Sequence, residues 1–283
     1  MSNVLQNKKK VANNFIDKLN TFLLGHPDIL AIFYGGSFAR DYQDQFSDIE
    51  IVILCENTKK LSLREFIESM SECTLVHLGE ETEKEIIFDT FLFQKEQVDL
   101  IYLTENYLEI VLNQFKNKLR VDPSTQAIVC CYQKLQILYK KYDYVLKNYK
   151  IDLDLELIEA IIKYANNTYN CSMLSIHIYR EDFMMISNTV FAIQRAFLIY
   201  LFVINKKYLA GYKNIKYQLS TLQKVPVNFD LRLKDLQRLN DISLLEYIQT
   251  LYKDIRNLAK PDENTLRLMP VELNFTSIRQ NSY

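Results

Sequence analysis

The chain has 283 residues, 24% charged and 48% hydrophobic, with a formal net charge of −1. That near-neutral balance gives no global electrostatic case for a polynucleotide partner. Five cysteines (Cys55, Cys73, Cys130, Cys131, Cys171) without CxxC spacing and three scattered histidines (His26, His77, His177) argue against a zinc site and for reduced thiols in a cytoplasmic protein.

The N-terminal stretch Met1 to Lys10 is polar and lacks the apolar core of a signal peptide. Residues 5–24 carry apolar side chains at helical spacing (Val11, Phe15, Leu19, Phe22, Leu23), ended by Gly25 and Pro27. Extended runs follow at 29–34 and 49–54, then a helical pattern over 61–72 through Leu61, Leu63, Phe66 and Ile67. Three further strands are expected over Thr74 to Leu78, Glu85 to Phe93 and Val98 to Leu103, with Lys95-Glu96-Gln97 as the turn between the last two. Asp122-Pro123 marks a boundary, because the residue before proline avoids the helical region. Beyond it the pattern predicts only helices, at 124–148, 153–178, 182–206, 214–223, 229–240 and 242–259. The longest apolar run, Ala196 to Ile204, is too short to cross a bilayer and reads as a buried helix. Residues 1–121 hold 13 basic and 19 acidic side chains, a balance of −6, and residues 122–283 hold 21 and 16, a balance of +5. An acidic half that gathers metal and a basic half that faces phosphates would use that asymmetry, although scattered solvated charge would produce it equally well.

The most informative stretch is AIFYGGSFARDYQDQFSDIEIVIL. Gly35 and Gly36 let the backbone turn tightly or approach a ligand. Ser37 is placed to cap a following helix and to offer a hydroxyl to an anion. Asp48 and Glu50, two residues apart at the start of an apolar strand, project side by side. Paired carboxylates seldom lie on such a strand without a cation. A third acid is expected on a neighbouring strand: Asp99, alone between apolar residues, is preferred, with Asp89 as its rival.

This pattern resembles the GS…SD(I)(D/E) signature of the nucleotidyltransferase superfamily, the polymerase-beta-like palm. The acidic strand SDIE, a later third acid and an all-helical second half look most like bacterial antibiotic nucleotidyltransferases acting on lincosamides or aminoglycosides. The motif covers residues 29–54 and, with the third-acid strand, reaches 103; beyond Asp122 the likeness is one of layout, with a loose match around Tyr179-Arg180-Glu181-Asp182. Glu50 stands where many relatives have aspartate.

The resemblance implies an α+β fold. A nucleotidyltransferase palm over 1–121, with a small mixed sheet flanked by helices, would precede an all-α substrate-binding bundle over 122–283. It implies adenylyltransferase-type chemistry, in which AMP from ATP is transferred to a hydroxyl of a small acceptor. Gly35, Gly36 and Ser37 would hold the triphosphate, Asp48 and Glu50 would bind two Mg²⁺ ions, and Asp99 would complete the metal site or take the acceptor's proton as general base. Arg40, Lys213 and Lys216 are candidate phosphate cations, with Lys206 and Lys207 beside them in the richest basic cluster. The expected partners are a nucleoside triphosphate and a small acceptor; nucleic acid and membrane are disfavoured, and a homodimer stays open. Two alternatives are a toxin-type transferase acting on protein or tRNA, and a catalytically silent nucleotide-binding module.

Overall fold

The computed structural model of the chain describes residues 3–23, 26–40, 43–58, 64–79, 86–147 and 150–276. The chain divides into two compact units, Met1–Phe115 with Ile128–Lys150, and Lys116–Ala127 with Ile151–Tyr283. The chain passes from one unit to the other after Phe115, after Ala127 and after Lys150.

The first unit is α+β, a mixed six-stranded sheet flanked by helices. Helix α1 (Asn3–Leu23) buries Val11, Ala12, Phe15, Ile16, Leu19 and Leu23 at the three-and-four spacing of one helical face. That face packs on the sheet, where the Phe15 ring meets Phe91 and Phe93 at centroid distances of 5.2 and 5.3 Å. The strands are β1 (Ile29–Tyr34), β2 (Ile49–Cys55), β3 (Cys73–Leu78), β4 (Ile86–Phe93), β5 (Glu96–Thr104) and β6 (Ile137–Lys140), in the order β3-β4-β5-β2-β1-β6. Between them come a single helical turn, α2 (Gly36–Ala39), then α3 (Arg64–Ser69) and, after β5, α4 (Glu105–Lys116) and α5 (Pro123–Gln133), of which the residues from Ile128 on belong to this unit. Strand β2 pairs antiparallel with β1 and parallel with β5, while β4 pairs antiparallel with β5.

Alternation sorts the residues of each strand between the two faces. Ile51, Ile53, Phe91, Phe93, Val98 and Leu100 belong to the core under α1. The opposite face is covered at Val52 and Leu54 but open at Phe88 and Leu92, and Glu50, Thr90 and Asp99 lie between these regions, half-buried.

Three expectations need correction in this unit. The β4–β5 turn is Gln94-Lys95, one residue earlier than expected, with both residues in the left-handed region (φ 52° and 72°) and Phe93 paired to Glu96. Without glycine its two-residue form carried no local signal. Of the expected 61–72 helix, residues 64–69 are helical and 61–63 lie outside the described residues. The expected 124–148 helix stops at Gln133, and residues 137–140 form β6 against β1. As an edge strand, β6 has no clean apolar alternation, and it is defined by pairing with a strand a hundred residues away.

The second unit contains, among the described residues, helices and no strand. These are α6 (Leu155–Thr168), α7 (Leu174–Tyr179), α8 (Phe183–Ile204), α9 (Ile215–Ser220), α10 (Phe229–Leu236), α11 (Ser243–Ala259) and α12 (Glu263–Leu268). The expected 153–178 helix is two, broken after Thr168, and α12 was not expected. Asp154 and Asp182 cap α6 and α8 by accepting from the backbone N–H of Leu157 and Met185. The Tyr179–Asp182 stretch is therefore a helix end, a left-handed residue (Glu181, φ 54°) and a cap. Helix α8 has the length and composition to cross a membrane, yet 72% of its apolar window is buried, against α6, α7 and α11.

Candidate active site

The site is built where β1 ends and β2 begins. The N–H of Gly35 donates to the carbonyl of Glu50 (2.8 Å), which ties the glycine turn to the acid-bearing strand. Gly36 follows at φ +47°, and a Cβ there would lie 1.1 Å from Glu50 Oε2, so the Glu50 carboxylate occupies the space a side chain would need. Gly35, not Ser37, is the cap residue of α2. Ser37 is the second residue of that turn, 8% exposed, and its Oγ has no hydrogen-bond partner among the described residues. A buried hydroxyl without a partner is costly unless a ligand completes it. The Nε of Arg40 donates to the Gly36 carbonyl (2.8 Å), folding that guanidinium back onto its own turn.

Asp48 sits one residue before β2, at the end of a turn stapled by Asp44. The Asp44 carboxylate accepts from the Phe46 N–H and the Ser47 hydroxyl, and the Ser47 oxygen accepts from the Asp44 N–H. Glu50 stands in register with Asp99 on β5, and Asp99 with Thr90 on β4. The Thr90 hydroxyl donates to Asp99 Oδ1 (2.8 Å) and the Gln97 amide to both carboxylate oxygens (3.1 and 3.2 Å). Burial pushes the Asp99 carboxyl up, and the nearby Asp48 carboxylate pushes it further, against the opposing Thr90 and Gln97 hydrogen bonds. Asp89 lies on the other face, 8% exposed, where its Oδ1 accepts from the Gly79 N–H (2.9 Å).

Glycines 35 and 36, Ser37, Arg40, Asp48, Glu50 and Asp99 thus belong to one strand-end cluster in the first unit. Among the described residues, no group of three or more acid, histidine or cysteine side chains is gathered closely enough to hold a metal ion. The pair that is brought together is Asp48 with Asp99, while Glu50 rests over Gly36. Carboxylate oxygens suit a hard divalent cation, and two of them crowded together suit one better than none. Lys213 and Lys216 belong to the second unit, exposed on either side of Asn214. Lys206 and Lys207 are engaged there, Lys206 with Asp262 (2.7 Å) and Lys207 with the Thr221 carbonyl. The acidic stretch at 80–85 lies outside the described residues.

Sequence reasoning missed Lys8, Thr90, Gln97 and Cys131. Lys8 of α1 is 4% exposed, and its ammonium donates to the Gln45 carbonyl (3.1 Å) and the Ser47 carbonyl and pairs with Glu96 (3.1 Å). It was visible as a lysine on the apolar stripe of α1, four residues before Ala12. Cys131 reaches the Gly36 carbonyl at 4.0 Å, and burial pushes its thiol up.

No protein-family model matches the chain, and no curated protein sequence matches it. Among solved structures, a nucleotidyltransferase-like protein from Exiguobacterium sibiricum 255-15 is similar over 88% of this chain and 74% of its own, at 12% identity and a TM-score of 0.40. A likeness of that size fixes neither a fold family nor an activity.

Proposed function

We propose that the chain is a nucleotidyltransferase that moves a nucleoside monophosphate, AMP from ATP in the simplest case, to a hydroxyl of a small acceptor. The observation that carries this reading is the glycine turn packed on Glu50, with the buried Ser37 hydroxyl, unpartnered among the described residues, inside the turn and the Asp48–Asp99 pair beside it. In the reaction the acceptor oxygen attacks the α-phosphorus, the bond to the bridging oxygen breaks, and pyrophosphate leaves with the electron pair. In this reading Asp99 receives the hydroxyl proton, Ser37 donates to a phosphate oxygen, and Asp44 and Lys8 fix the turn that presents Asp48. Asp48 and Asp99, with Glu50 beside them, would hold magnesium, which would neutralise triphosphate charge.

Aminoglycoside and lincosamide antibiotics are the first acceptors to test. The protein is incubated with magnesium, each of the four nucleoside triphosphates and a panel of such hydroxyl compounds, and products are read by mass spectrometry. A nucleotide adduct on an acceptor is expected, and protein or tRNA added to the same panel tests the toxin-type alternative. A second reading, a silent nucleotide-binding module, draws on the fact that three metal donors are not gathered among the described residues. Saturable nucleotide binding with no adduct on any acceptor would favour it.

A further inference from the structure

The second unit holds a cleft of about 350 Å³ that the transfer chemistry does not use. Its walls are two helical stripes at i, i+3, i+4 and i+7 spacing: Phe191, Gln194, Arg195 and Leu198 on α8, and Asp230, Leu233, Lys234 and Gln237 on α10. Tyr212 and Ile215 close one side. The floor is apolar, since Leu198 and Leu233 are buried. The Gln194 amide fixes the width, because its Nε2 donates to the Leu233 carbonyl (2.5 Å) and its Oε1 accepts from Gln237 (3.2 Å). A cleft with a braced apolar floor rimmed by polar groups has the form of a ligand site.

The charges in the cleft are unusual. Arg195 is exposed on α8, where its guanidinium lies 5.2 Å over the Tyr212 ring and, among the described residues, has no ion pair or hydrogen bond. A cation–π contact of this kind leaves guanidinium N–H groups available to an anion. The Tyr212 ring is itself fixed, because its hydroxyl meets that of Tyr169 at 2.9 Å. Lys234 also lacks an ion pair among the described residues, and Asp230 is the one acid in the lining, which leaves one net positive charge. At the mouth the Phe191 ring is 50% exposed.

We propose that this cleft binds a small monoanion with a planar aromatic body, an aryl carboxylate in its simplest form. The carboxylate takes the Arg195 edge and Lys234, and the ring lies between Phe191 and the apolar floor. Two cations against one acid disfavour a polycationic occupant. The inference is independent of nucleotidyl transfer.

Titration of the full chain with naphthoate, followed by probe emission, tests it. The chain contains no tryptophan, so the indole background is absent. Naphthoate should bind saturably, and neutral naphthamide and cationic naphthylmethylammonium about tenfold or more weakly, as expected when a charge-assisted contact is lost. Arg195→Met and Lys234→Met should each weaken naphthoate about tenfold or more. Arg195→Lys should fall between, and Asp230→Asn should tighten binding. Lys253→Met, an exposed change on α11, should leave it unaltered. Absence of saturable naphthoate binding, equal affinity for naphthamide, or unchanged affinity in both Arg195→Met and Lys234→Met overturns the proposal.

Discussion

Glu50 and Asp99 stand in register across the parallel pair β2–β5, so carboxylates 49 residues apart in sequence reach one face of the sheet. The Glu50 backbone also anchors Gly35, and its side chain fills the space beside Gly36. One residue therefore joins the glycine turn to the acid cluster, which makes the coupling between Gly36 and Glu50 measurable.

Replacing Gly36 by alanine should destabilise the protein by about 2 kcal/mol, combining a left-handed backbone penalty with displacement of Glu50. In the Gly36→Ala/Glu50→Ala double variant the displacement no longer matters. The pair should then cost less than the sum of the singles in chemical denaturation. Strict additivity would show that the carboxylate does not rest on Gly36.

Ser37→Ala removes a buried hydroxyl that contributes no hydrogen bond among the described residues. Apo stability should stay within about 0.5 kcal/mol of the parent, or rise. If the hydroxyl serves a phosphate, the thermal shift produced by ATP with magnesium should shrink in this variant. An equal shift in both proteins removes Ser37 from the nucleotide site.

Asp48→Asn and Glu50→Gln should abolish transfer, and Asp48→Asn should hold or raise apo stability because it relieves the repulsion felt by Asp99. Asp99→Asn should lose turnover, while Asp89→Asn, on the core face, should retain it. Turnover within tenfold of the parent in the Asp48 or Asp99 variant is the outcome that rejects their assignment.

What was legible in the sequence was local. GGS and SDIE lie within sixteen residues, and the apolar runs around them mark β1 and β2 before any pairing is known. The alternation in Ile86 to Phe93 likewise separates Asp89 from Thr90, although it does not say which face is open. Thr90 acquires its place only when β4 pairs with β5, and β6 becomes a strand only against β1. Ser37 misled because α2 is a single turn that starts one residue before it. The Lys206 ion pair was not legible because its partner lies 56 residues downstream.

That partner, Asp262, provides a test by pH. Its carboxyl is pushed down to about 2, first by the hydrogen bond from Lys206 and then by the Thr265 N–H and hydroxyl. A folded pKa below the unfolded value of roughly 4 means its stabilisation is present above pH ~4 and is lost as pH falls toward 2. Asp262→Asn should therefore lower Tm at neutral pH, and its difference from the parent should vanish near pH 2. A difference independent of pH would assign the effect to helix capping alone.

Lys8 carries the last prediction. Its ammonium holds the carbonyls of Gln45 and Ser47, just before Asp48, and the carboxylate of Glu96, three residues before Asp99. One buried cation thus braces both acid-bearing segments from α1. Lys8→Met fills the same space but leaves two carbonyls and a carboxylate without their donor, at a cost of about 2 to 3 kcal/mol. Adding Glu96→Gln should recover part of that loss, since the stranded charge is then gone. Amide exchange over residues 44–48 should quicken in Lys8→Met, and the magnesium requirement for transfer should rise as Asp48 loses its fixed position. Lys8→Arg keeps the charge and should behave closer to the parent. Unchanged stability and unchanged exchange in Lys8→Met would show that the turn holds itself through Asp44 and Ser47, with Lys8 a passive buried charge.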